Sequence, residues 1–123
     1  MLVREDDTHA IIGAAMEVHG AMGKGFLENV YQEALEIELR MRKIPFEVKP
    51  KLVISYKGHR LQQFYIPDLI IFGDIPVELK AHSEPLSKAD LRQLLNSLRT
   101  CGGQVGLVFN FGRASLDFER IVA

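Results

Sequence analysis

Apolar positions recur at helical spacing in the first third of the chain. Ile11, Ile12, Ala15, Met16 and Val18 form a stripe within residues 5–21, which predicts an amphipathic helix. Asp6 or Thr8 is expected to cap its start. Glycines at 20, 23 and 25 break it, and a second helix is expected over 26–43. Its apolar residues fall in two rows, Val30, Ala34, Ile37, Met41 and Leu27, Tyr31, Leu35, Leu39, which together predict a broad buried face. Pro45 marks its exit. From there the period changes. Residues 46–56 alternate loosely around Pro50, with 51–56 the firmer strand. Lys57-Gly58 reads as a turn, and strands over 60–72 and 75–79 follow. This order predicts a meander of three antiparallel strands. A third helix begins at Ser87, where Ser87 and Asp90 have capping-box spacing. Leu91, Leu94, Leu95 and Leu98 form its core face, with Gln93 and Ser97 on a separate polar ridge. Gly102 and Gly103 end it. Residues 104–111 form a last apolar strand, placed parallel in the sheet by the crossover helix before it. The tail over 116–122 reads as a short strand or as a crossover onto a partner. The order αα-βββ-α-β predicts an α/β fold with a mixed central β-sheet flanked by helices.

Composition narrows the class. A chain of 123 residues with 47% apolar content fits one globular domain over 1–123. The net charge of -1 offers no bulk attraction to nucleic acid, so any such binding must come from a local basic patch. Two such patches stand out, Arg40, Arg42 and Lys43 at the end of the second helix, and Lys49, Lys51, Lys57, His59 and Arg60 along the meander. Cys101 is the only cysteine, which excludes an internal disulfide and a Cys-based zinc cluster. No run of 18 apolar residues occurs, so no membrane span is expected. The start lacks a signal-peptide pattern, and a cytoplasmic location is expected. The glycines at 20, 23 and 25 follow no strand and lack a Gly-Lys-Ser/Thr ending, so they read as a helix–helix corner and not a phosphate loop.

The stretch from Phe64 to Ala81 carries the chemistry. Its two apolar runs flank a turn at Gly73-Asp74, yet Asp68, Glu78 and Lys80 interrupt them. Charges inside an apolar strand cost free energy unless they are paired or hold a metal. Period 2 puts Glu78 and Lys80 on one face of their strand. Whether Asp68 joins them depends on the turn. A two-residue turn sends Asp68 to the opposite face. A three-residue turn, or a bulge next to Asp68, pairs it with Glu78. Two carboxylates so close repel unless a cation lies between them, and a hard, oxygen-liking ion such as Mg2+ suits them. The competing reading is a sheet edge with ordinary polar residues. Glu28 alone reads as a first-turn acid favoured by the helix dipole.

Several separated motifs occur in an order that resembles the small "GxxExxY" proteins. They are Gly25-Phe-Leu-Glu28-Asn-Val-Tyr31, Ile66-Pro-Asp68, Val77-Glu78-Leu79-Lys80-Ala81, Gln93-Leu-Leu-Asn96, and Gly106 through Asn110 to Gly112. That family looks like a branch of the PD-(D/E)xK nuclease superfamily. The resemblance implies a restriction-endonuclease-like core and a Mg2+- or Mn2+-dependent nuclease acting on nucleic acid, DNA in the first instance. Asp68, Glu78 and Lys80 match the central motif, Glu28 the acid on the N-terminal helix, and Gln93 the polar residue on the following helix. The implied metal ligands are Asp68, Glu78, the Leu79 carbonyl and Glu28. Lys80 would position or deprotonate a water, with Gln93 orienting Lys80 or a phosphate. The chain departs from the pattern at Asp90, Ser97 and Glu119, where members usually have His, Tyr and often Lys. Many nucleases of this superfamily pair, so a homodimer is expected, with Leu116, Phe118 and Ile121 as its contact. The alternative is a binding module for nucleic acid or protein that kept the fold without catalysis.

Overall fold

The computed structural model describes residues 2–123. Its helices are α1 (Glu5–Met22), α2 (Glu28–Met41) and α3 (Lys88–Cys101). Its strands are β1 (Phe46–Val48), β2 (Leu52–Tyr56), β3 (His59–Tyr65), β4 (Leu69–Ile71), β5 (Ile75–Lys80), β6 (Val105–Asn110) and β7 (Asp117–Val122). Five strands form one sheet in the order β1-β4-β5-β6-β7. β5 and β6 run parallel, as the α3 crossover between them requires, and the other neighbours are antiparallel. The fold is therefore α/β with a mixed sheet flanked by helices.

The expected meander is not there. The strand read over 60–72 is two strands separated at Ile66-Pro67-Asp68. Pro67 has no N–H to give to a ladder, and the pairing of β3 with β2 stops at Tyr65. β2 and β3 leave the sheet as a separate two-stranded ribbon. The place beside β4 is taken by the short β1, with Phe46 opposite Ile71. Lys49, at φ +46°, turns the chain out of β1.

One sheet face packs on α1 and α2. Ile11, Ala14 and Val18 from α1 and Tyr31, Leu35 and Leu39 from α2 meet Leu69, Val77, Leu79, Leu107 and Phe109 in one core. The valine, leucine, isoleucine and phenylalanine side chains among them each contribute roughly 1.5–3 kcal/mol by leaving water. The opposite face packs on α3, with Leu94 over Gly106 and Ser97 over Glu78. Odd-numbered residues of β5 thus face α1 and α2, and Glu78 faces α3.

Two expectations about the helices change. Of the two rows of α2, Tyr31, Leu35 and Leu39 are buried, while Leu27 at the head of that row and Ile37 and Met41 of the other are exposed, because α2 has the sheet and α1 on one side and solvent on the other. Neither Asp6 nor Thr8 caps α1. The helix starts at Glu5 behind Arg4, and Thr8 bonds back to the Arg4 and Glu5 carbonyls from within it. The Ser87–Asp90 capping box of α3 forms with both of its hydrogen bonds. The tail joins the sheet as β7, and Leu116 and Phe118 pack against the core.

Candidate active site

Ile71 faces Ile75, so residues 72–74 make a three-residue turn. Phe72 and Gly73 both have positive φ, at 54° and 85°. Glycine takes that conformation readily, and Phe72 needs support. Arg4 supplies it, donating to the Asp74 carboxylate at 2.6 Å and to the Phe72 carbonyl at 3.4 Å. The turn sets the parity of the hairpin. With Leu69 opposite Val77, Asp68 falls opposite Glu78.

There the backbone ladder gives way to side-chain bonds. The Asp68 N–H donates to Glu78 Oε1 at 3.1 Å, and the Leu79 N–H donates to Asp68 Oδ2 at 2.7 Å. Glu78 is 2% exposed. Its Oε2 accepts from the Tyr65 hydroxyl at 2.8 Å and from the Ser97 hydroxyl at 3.1 Å. Lys80 follows on the same face, its Nζ donating to Gln93 Oε1 at 2.6 Å. Asp68 Oδ1 takes a longer bond, 3.4 Å, from Lys49 Nζ. The Asp68 carbonyl accepts from Gln32 Nε2 at 3.1 Å, which ties α2 to the site.

Glu28 stands one turn before Gln32, at the exposed first position of α2. The loop before it is fastened by Tyr31, whose hydroxyl donates to the Gly23 carbonyl at 2.6 Å and accepts from the Phe26 N–H at 3.2 Å. The Tyr31 ring stacks on Phe111 with centroids 4.7 Å apart. Within the Gly25–Glu28–Tyr31 stretch, Tyr31 is thus the clamp that fixes the loop before α2.

Charge in the site is unbalanced toward the negative. Burial pushes the Glu78 carboxyl up and the charge of Asp68 adds to it, more than its hydrogen bonds from Tyr65, Asp68 and Ser97 offset. Glu28 is pushed up as well, first by the protein around it and then by Asp68, against the pull of Lys80, Lys49 and His82. The Tyr65 hydroxyl is pushed up to about 12, mainly by burial, so it remains a donor to Glu78.

Asp68, Glu78, Lys80 and Gln93 are brought together, and Glu28 stands at the rim. Tyr65, Ser97 and Lys49 join them without having been singled out for the site. Tyr65 gave no sequence signal because its partner lies across the fold. Ser97 shares with Gln93 the polar ridge of α3, which was the available hint.

A divalent cation suits these residues in donor type and charge. A carboxylate has about four lone-pair positions; Asp68 uses two and Glu78 three on protein donors. The upward push on both glutamates comes first from burial and then from the charge of Asp68, and a bound cation would offset both. Among the described residues, no three His, Cys, Asp or Glu side chains already stand at ligand distance from one point. Glu28 would have to swing inward to complete such a set.

An α/β sheet with one carboxylate just before β4, a second carboxylate and a lysine on the adjacent β5, and a helix with a polar ridge behind them defines a nuclease-like domain. The family comparison agrees: the model of the PD-(D/E)XK nuclease superfamily matches residues 5–121, and the chain belongs to that superfamily. Members generally use divalent metals. No curated protein and no solved structure matches the chain. No helix among the described residues is long and apolar enough to cross a membrane.

Proposed function

We propose that this chain, as a GxxExxY-type member of the superfamily, is a divalent-metal-dependent phosphodiesterase acting on DNA. The observation that carries the reading is the pairing of Asp68 with Glu78 through reciprocal side-chain-to-backbone bonds, with Lys80 on the same face. Asp68, Glu78 and the Leu79 carbonyl would hold Mg2+ or Mn2+, with Glu28 as a further ligand. The ion, when bound, polarises a phosphodiester oxygen and lowers the pKa of a water. Lys80, steadied by Gln93, holds the attacking water in line or takes its proton. Tyr65 and Ser97 keep the Glu78 carboxylate aimed toward Asp68.

The test is metal-dependent stability together with cleavage. Melting temperature should rise with Mg2+ or Mn2+, by roughly 2.7 kcal/mol of stabilisation at a hundredfold excess over Kd. Asp68→Asn and Glu78→Gln should abolish that rise. Lys80→Ala should keep it and lose cleavage of single-stranded, duplex or branched DNA. A flat melting curve, with no heat of binding by calorimetry, would sink the metal enzyme.

The second reading is a binding module. It is favoured by the degree to which Glu78 is already tied by three protein donors, as a structural post would be. A metal response without cleavage of any nucleic acid supports it.

A further inference from the structure

A groove of about 640 Å³ runs between the β2–β3 ribbon and α3. Ile54 and Tyr65 wall it on one side, and Arg92, Gln93, Asn96 and Arg99 on the other. No Asp or Glu lines it, on a chain whose net charge is -1. Arg92 and Arg99 are two turns apart on one helix face, about 10 Å along the axis. Both are exposed, and neither enters an ion pair among the described residues. Three other basic side chains are engaged: Arg42 with Glu38 at 2.6 Å, Lys51 over the Phe64 ring and Lys57 over the Tyr56 ring.

The groove opens from the carboxylate site. Tyr65 bonds Glu78 and Gln93 bonds Lys80, and both line the groove. The geometry points to a subsite for a single strand of nucleic acid leading away from Asp68, Glu78 and Lys80. Arg92 and Arg99 hold its phosphates, and Ile54 and the Tyr65 ring form the apolar wall against its bases. A basic channel with an aromatic wall suits an unpaired strand, whose bases are free to leave the stack. A duplex keeps its bases inside and meets only the rim. The inference rests on the nucleic-acid reading of the site and adds to it the form of the substrate.

The probe is a fluorescein-labelled oligo-dT strand, with a hairpin duplex as comparison. Binding is followed by anisotropy across a salt series, in EDTA and again in Ca2+. The double variant Arg92→Gln/Arg99→Gln should bind the strand about tenfold more weakly. Its plot of log affinity against log salt should be shallower by about 1.4, two phosphates at ~0.7 each. Asn96→Trp, which fills the groove without changing charge, should weaken the strand as well, with an unchanged circular-dichroism spectrum. Lys57→Gln on the ribbon tip should change neither affinity nor slope. Wild-type binding that the double variant retains at full affinity and slope overturns the subsite and leaves the function standing. Equal loss on the hairpin and on the strand overturns the single-strand assignment. A wild type that binds neither probe in either condition overturns the nucleic-acid reading and the subsite with it.

Discussion

Glu78 shows how one buried carboxylate is kept in an apolar sheet. Three donors surround it, and taking away their common acceptor costs more than taking away its charge. Glu78→Ala leaves the Tyr65 and Ser97 hydroxyls and the Asp68 N–H without their acceptor, and should cost about 2–3 kcal/mol in urea unfolding. Glu78→Gln keeps the shape and relieves the repulsion from Asp68, so its midpoint without metal should stay within about 1 kcal/mol of wild type. Asp90 gives the pH dependence its sign. Partial burial raises its carboxyl, but bonds from the Ser87 N–H and hydroxyl and the charges of His82 and Lys80 hold it below the usual value. A depressed carboxylate stabilises the fold fully above its unfolded pKa, and that stability is lost as pH falls through the folded value. Asp90→Ala should therefore lose roughly 0.5–1.5 kcal/mol at pH 7. The gap to wild type should narrow as pH falls through the lowered pKa of this carboxyl, as stability measured across the acid range would reveal.

At the scale of elements, the ends of β5 and β6 are locked by contact between loops. The Phe111 N–H donates to the Lys80 carbonyl at 2.8 Å. Asn110, fully buried, accepts from the His82 and Gly112 N–H groups and donates to the Glu84 carbonyl. A Cβ at Gly112 would stand 2.3 Å from the His82 carbonyl oxygen, which is backbone and has little freedom to yield. Gly112→Ala should force these strand ends apart beside Lys80, costing about 1–3 kcal/mol, and should lower metal-dependent cleavage more than stability alone explains. Gly20 lies inside α1 with nothing within 4 Å of an added Cβ. Gly20→Ala should stabilise by about 0.5–1 kcal/mol, read as a higher urea midpoint with an unchanged slope.

For the whole molecule, the core joins α1, α2 and the sheet in one cluster. We expect residues 1–123 to unfold as one cooperative unit, with far-ultraviolet and fluorescence transitions that coincide. Assembly is a matter for the sheet edges. Leu116 and Phe118, two of the three residues expected to form the contact, pack against the core, while β7 leaves one edge of the sheet open and its Val122 is 49% exposed. We propose that two copies pair there about a twofold axis, giving a continuous sheet. Light scattering should give a dimer mass for wild type and a monomer mass for Val122→Lys. A wild-type monomer at assay concentration would exclude the pairing.

Helix number, the capping box at Ser87, the parallel strand that follows α3 and the Asp68–Glu78–Lys80 triplet were all legible along the chain, because each rests on local period or short spacing. Parity showed that the triplet converges only if the turn has an odd residue or a bulge, and it left the choice open. The three-residue turn is a tertiary decision: Phe72 holds a positive φ because Arg4, 68 residues earlier in the chain, bonds its carbonyl. The departure of β2 and β3 from the sheet is another. Strand propensity says that a segment is extended but not which neighbour completes its ladder, and Pro67 ended one pairing while Phe46 supplied the next. Tyr65 gave no signal for the same reason, and Ser97 gave only its place on the polar ridge of α3. Their hydroxyls matter through a carboxylate 13 and 19 residues away, a distance that only the packed sheet and helix close.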